Sequence, residues 1–215
     1  MTTSELVATE AGDARITYHR ADAAKAVLAL GHGAGGGIGA RDLVALAGRL
    51  PERGISGGAG RAALAGGGEE GWARRRGRWT SAGGRSRSGW PGRGCRWWSA
   101  GAGAGARVAC RTGAASGAVG VVALAFPLHP PGKPERSRAE ELLESGLPTL
   151  VVQGAADPFG GPEEFPELPE GHVLVGLPYG NHGFEVPKRA AVGQDELLGM
   201  ICSAVGDWVL GLVGL

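Results

Sequence analysis

Two residues of this chain have the type, order and setting for proton transfer. Asp157 lies in LPTLVVQGAADPFGG, just past an apolar run, and His182 lies in LPYGNHGFEVPKR, in a glycine-flanked loop after the next apolar run. A carboxylate at the end of one strand can orient an imidazole at the end of another and stabilise its charged form. A neutral imidazole near pH 7 is the usual general base. Taken singly, each has a plainer reading: Asp157 as a turn residue before Pro158, and His182 as a loop histidine capping a backbone group. Together, with the acid before the histidine, they match the chain order in which a nucleophile stands upstream on a strand–turn–helix elbow, G-x-S-x-G. The stretch WSAGAGAGARVAC, residues 98–110, has that shape: Gly101-Ala102-Gly103-Ala104-Gly105. Its central position is Gly103, which has no side chain and cannot attack. Ser99 stands four residues too early to take the role.

A developing oxyanion needs backbone N–H donors. His32, Gly33, Ala34 and Gly35, in LALGHGAGGG, form a candidate loop for one donor, and Ala104, just after the nucleophile position, offers the other. The same loop could cradle a phosphate, but it lacks the lysine and hydroxyl residue of G-x-x-x-x-G-K-[ST], which argues against nucleotide binding. His129, in AFPLHPPGKPE, is a candidate for the pocket wall or for a purely structural role. Nothing in the pattern calls for a metal or a cofactor.

The elements that must hold these residues are legible outside one segment. Residues 14–19 alternate as an edge strand, and 24–37 run apolar into a glycine cluster. Leu43, Leu46 and Leu50 fall at helical spacing, closed by Pro51 and Gly54. Strands are expected at about 119–126, at 148–153 and within GHVLVGLPYGNHGFEV. A short helix is expected from near Ser137 to a stop at Gly146, and a final helix over 192–213. The EELLE run at 140–144 reads as a solvated helix face. Uniformly apolar strands alternating with helices predict an α/β chain: one domain over residues 1–215, with a mostly parallel sheet covered on both faces.

Residues 57–100 break the pattern. They contain no Val or Ile and one Leu, yet five of the six Trp, so they predict no buried strand where the fold needs two. A Gly/Arg-rich insertion is one reading, and a nucleic-acid segment with Trp stacking platforms is another, although regular RGG repeats are absent. A third fits the composition better. Gly, Arg, Ala and Trp are what GC-rich DNA encodes out of frame, and synonymous codons for residues 57–70 can be reread as VVRVEQPWRVAGRK, a strand followed by a loop. A net charge of +1 gives no bulk attraction to nucleic acid or anionic membrane. No apolar run approaches the roughly 20 residues that span a bilayer, and the N-terminus shows no signal-peptide pattern. Cys95, Cys110 and Cys202 are read as reduced thiols, and the expected location is the cytoplasm.

GHGAGGG at 31–37, GAGARVACR at 103–111, AFPLHPPGKPE at 125–135, LVVQGAADPFG at 150–160 and YGNHGF at 179–184 resemble the small single-domain α/β-hydrolases of the dienelactone-hydrolase-like kind. They resemble in particular the bacterial branch related to a testis-expressed protein and to the hydrolase-like part of an NSL-complex subunit. The resemblance covers residues 24–56 and 101–215 and fails across 57–100, which is expected to be disrupted or irregular. It implies a three-layer α/β-hydrolase-like fold and a Ser-Asp-His mechanism on an ester or related acyl bond of a small molecule. Asp157 would be the acid, His182 the base and Gly103 the position of the missing serine. The chain is then expected to be inactive as a serine hydrolase. The alternative is a binding or scaffold module, a pseudoenzyme. The resemblance implies no cofactor, and neither substrate nor oligomeric state is legible.

Overall fold

The computed structural model describes residues 2–9, 12–35, 37–62 and 95–214. Eight strands form one sheet: β1 (Thr2–Thr9), β2 (Gly12–His19), β3 (Ala26–Gly31), β4 (Ile55–Ala62), β5 (Arg96–Ala102), β6 (Val121–Leu124), β7 (Thr149–Gly154) and β8 (His172–Leu177). Their order is β1-β2-β4-β3-β5-β6-β7-β8. The first two strands run antiparallel at one edge, and from β4 to β8 all pairings are parallel.

The parallel strands are apolar because helices cover both faces. Helices α1 (Arg41–Arg49) and α4 (Gln194–Val213) pack on one face over Leu28, Leu30, Leu124, Leu150 and Val152. Helices α2 (Ala104–Thr112) and α3 (Ala139–Leu143) pack on the other, over Val121, Ala123 and Val151. The alternation of Val121/Ala123 with Val122/Leu124 between the two clusters is the period-two signature of a strand buried on both sides.

Helix α4 seats Leu197, Ile201, Val205 and Val209 on the sheet at a spacing of four, each fully buried. Each such burial is worth roughly 1.5–3 kcal/mol. By length and composition this helix is apolar enough to cross a membrane, which corrects the expectation that no segment is. Two acids of this helix pair with arginines beside it, Asp195 with Arg49 at the end of α1 and Asp207 with Arg53.

Two expectations need correction. Residues 57–100 do supply strand at both ends: β4 and β5 pair with β3 on either side and sit at the centre of the sheet. A ladder needs backbone N–H and C=O groups, which glycine and alanine provide as well as valine does. In β5 the fully buried Trp98 fills the space that several aliphatic side chains would otherwise take. The rest of that segment, 63–94, with its insertion and nucleic-acid readings, lies outside the described residues. The EELLE run is not simply solvated either. Leu142 is fully buried, and Glu141 accepts from Arg107 Nε at 3.0 Å and from Arg111 Nη1 at 2.9 Å, joining α3 to α2. The β1 strand, Thr2–Thr9, is an element the sequence reading did not predict, its apolar alternation being too weak.

Candidate active site

The chain leaves β3 for α1 and β4 on one side of the sheet, then returns through β5 on the other. The strand order thus reverses at β3, and in open α/β sheets ligands bind beyond the C-terminal strand ends at such a switch point, here those of β3 and β5. The loop after β3 begins at His32, and the turn after β5 is centred on Gly103, so the fold brings these two sequence candidates together.

Gly103 adopts φ 55°, ψ −121°, a conformation L side chains rarely take and the backbone signature of a sharp strand-to-helix elbow. The flanking glycines are there for a different reason. A Cβ on Gly101 would lie 2.3 Å from the Gly105 carbonyl, and one on Gly105 would lie 2.8 Å from the Gly31 oxygen. Backbone passes too close at both positions for any side chain. At Gly103 a Cβ would instead point at His182, 3.1 Å from Nε2.

His182 is held by its own loop. Asn181 Oδ1 accepts the N–H groups of Gly183 and Glu185, both at 2.9 Å, and the fully buried Phe184 anchors the far side. The backbones of the histidine and acid loops touch at glycine, since a Cβ on Gly154 would lie 2.2 Å from the Gly180 oxygen. His182 Nδ1 and Asp157 Oδ2 are 2.9 Å apart. The carboxylate can only accept, so Nδ1 carries the hydrogen and the Nε2 lone pair faces Gly103.

Asp157 is buried, and both its oxygens are engaged. Phe159 N–H donates to Oδ1 at 2.9 Å, and Gln153 Nε2 donates to Oδ2 at 3.0 Å. The fully buried Gln153 also donates to the Gly160 carbonyl at 2.7 Å, closing the acid loop on itself. Phe159 lays its ring against the His182 imidazole, with centroids 4.3 Å apart. Sequence reasoning gave no role to Gln153 or Phe159, although both fall inside the LVVQGAADPFG stretch it singled out. Asp42, buried in the first turn of α1, was missed as well. Burial raises its carboxyl above the ordinary value, while the neighbouring backbone N–H groups and the charge of His182 pull it back.

The oxyanion candidates separate in the structure. Gly33 Cα lies 3.8 Å from the Cβ position at 103. Ala104 opens α2, where the first N–H groups have no intrahelical acceptor. His32 is buried, with Nδ1 2.8 Å from the Gly33 carbonyl, so its side chain braces the loop. Ala34 and Gly35 lie in an exposed turn, and a Cβ on Gly35 would meet nothing within 4 Å. Ser99 is buried within β5. His129 faces the acid loop: its N–H donates to the Phe159 carbonyl at 3.0 Å, and its ring lies between the Pro130 carbonyl (2.9 Å) and Glu164 Oε2 (3.0 Å). Cys95, Cys110 and Cys202 are free thiols, and burial pushes Cys110 up to about 12.

An acid and a base whose lone pair faces a strained elbow can together carry acyl transfer when a nucleophile stands at the elbow. Comparison with known proteins bears on the fold and the family. A family model described as an alpha/beta hydrolase domain matches residues 91–210, more than half of the chain and including the last part of the anomalous segment. No curated protein matches. Similar solved structures include an α/β serine hydrolase without a lid from Xanthomonas campestris, 20% identical over 97% of this chain and 95% of that one, with a TM-score of 0.69. Est1E from Butyrivibrio proteoclasticus is 12% identical over 99% of both chains, with a TM-score of 0.73. Dienelactone hydrolase from Anabaena variabilis is 16% identical over 98% of this chain and 97% of that one, with a TM-score of 0.70. At such identities these structures share the fold, and the family match carries the assignment: the chain belongs to the alpha/beta hydrolase domain family.

Proposed function

We propose that this chain has the site of an ester or related acyl hydrolase of the dienelactone-hydrolase-like branch, with the covalent step removed by glycine at position 103. The observation that carries this reading is the elbow itself. Position 103 has the strained backbone of a nucleophile and points a Cβ at His182 Nε2, while Gly101 and Gly105 are sterically obliged to be glycine.

With serine at 103, the hydroxyl oxygen attacks the acyl carbon and its proton passes to His182 Nε2. Asp157 steadies the imidazolium, and the Gly33 and Ala104 N–H groups hold the oxyanion. The leaving alcohol takes the proton, and water then releases the acyl group by the same steps. Ferulic acid is bound to Est1E in one of the similar structures, and another is a dienelactone hydrolase. Those titles make aryl esters and lactones sensible first probes here. Nucleic acid and membrane are not proposed as partners. The proposed location is the cytoplasm, in keeping with the three free thiols.

The test is Gly103→Ser. The variant is expected to react with a fluorophosphonate probe and to form an acyl-enzyme from p-nitrophenyl acetate, and the unsubstituted chain to form no covalent adduct with either. A folded variant that stays unlabelled would favour the binding-module reading instead.

The loss of the serine is itself proposed to come from a frame slip across the segment ending at the elbow. Strand β4 supports this. A Cβ on Gly57 would sit 3.9 Å from Leu30 Cδ1, and one on Gly58 would sit 3.7 Å from the Tyr18 ring. Both are ordinary contacts, so a Cβ is accommodated at the two positions where the shifted frame gives valine.

A further inference from the structure

The elbow leaves His182 with a correctly presented lone pair and no hydroxyl to deprotonate. We propose that the chain as it stands hydrolyses activated esters in a single displacement, with a water molecule on His182 Nε2 in place of the serine hydroxyl. This rests on the reading of the site as an acyl-transfer site and deepens it.

Three features converge. Asp157 fixes the His182 tautomer through the 2.9 Å contact at Nδ1, so Nε2 is an acceptor. A Cβ at position 103 would meet His182 Nε2 at 3.1 Å and Gly33 Cα at 3.8 Å, so the place where a serine side chain would begin borders directly on the base. The side chain of His182 is also 32% exposed, so the imidazole is open to solvent.

The step balances without another reactant. The water oxygen bonds to the acyl carbon as one water proton moves to His182 Nε2. The carbonyl π pair moves onto oxygen, facing the Gly33 and Ala104 N–H groups. The carbon–oxygen bond to the leaving group then breaks, and that oxygen takes the proton from Nε2. Ester and water become acid and alcohol, and no bond to the protein forms. The loss relative to a serine enzyme is the covalent relay. The general base and the oxyanion donors remain, and the base alone contributes about 10²–10⁴-fold in typical enzymes.

The experiment uses the full chain with p-nitrophenyl acetate and phenyl acetate. Turnover above the buffer rate is expected, without a burst and without an acetyl adduct in intact mass. The rate should fall from the nitrophenyl to the phenyl ester, because the leaving group departs in the same step sequence as attack. His182→Ala should lower the rate about 10²-fold, and His182→Gln, which keeps more of the side-chain bulk, should do the same, each with an unchanged circular dichroism spectrum. A full chain no faster than both His182 variants, while Gly103→Ser becomes acetylated, would overturn the water mechanism and leave the hydrolase reading standing. A folded Gly103→Ser that neither acylates nor turns over would remove the hydrolase reading as well.

Discussion

Gly103 and His182 face each other across the elbow, with a Cβ position at 103 only 3.1 Å from His182 Nε2. In the proposed function, the rest of an acyl-transfer site is arranged around that one missing side chain. A single substitution is therefore expected to restore covalent chemistry.

Restoration has a cost in stability. Gly103 sits at φ 55°, and a side chain in such backbone costs of order 1–3 kcal/mol. Gly103→Ser is expected to gain acyl-enzyme formation while losing about that much stability, read as a lower denaturant midpoint at unchanged slope. A restored enzyme as stable as the parent would show that the elbow is not strained.

In the Gly103→Ser background, Asp157→Asn is expected to lower kcat by about 10⁴-fold. Phe159 N–H holds one side-chain oxygen of residue 157, so an asparagine would turn its NH₂ toward His182 Nδ1 and Gln153 Nε2. Facing a donor, Nδ1 would become the acceptor, and the proton would move to Nε2, where it blocks the base. Steady-state kinetics on the double variant tests this, and a loss below about tenfold would mean that Asp157 does not set the tautomer.

His129 lies between two acceptors, the Pro130 carbonyl and the Glu164 carboxylate, and its ring satisfies both only as the imidazolium. The Pro130 and Glu164 bonds raise its pKa above the ordinary 6.5 against the opposing effect of burial. The Gly161 N–H and His129 hold Glu164 below its ordinary 4.5. The His129 contribution is thus complete below about pH 6.5 and fades as pH rises through the raised value. The Glu164 contribution is complete above about pH 4.5 and fades as pH falls through the lowered one. Stability should therefore be highest between the two, and Glu164→Gln should flatten both arms. Urea midpoints measured across pH for both chains decide it.

The glycines of the sheet centre divide by what surrounds them. Gly57→Ala and Gly58→Ala have room and should each stabilise by about 0.5–1 kcal/mol, since glycine inside a strand is costly. Gly105→Ala would force a Cβ to within 2.8 Å of the Gly31 oxygen and should destabilise by about 1–3 kcal/mol. Thermal melts of the three variants should move in these opposite directions.

Sequencing the gene across codons 56–106 from source DNA tests the frame slip. The expected result is single-base slips whose removal places valine codons at 57 and 58 and a serine codon at 103. Codons that cannot be reread this way would make the Gly/Arg/Trp segment a true insertion.

The sequence by itself was enough for the alternation of strands and helices, for Asp157 and His182 in their order, and for the glycine at position 103, because each is a local pattern of residue type and spacing. It misled at β4 and β5, where backbone hydrogen bonding to β3 on both sides makes strands of residues with little strand signal. It also could not say which of His32, Gly33, Ala34 and Gly35 adjoins the elbow, or that Gln153 and Phe159 brace the acid and the histidine. Those are contacts between loops at the ends of different strands. Only the closing of the sheet brings them together, because distance between loops is set by strand order and not by position along the chain.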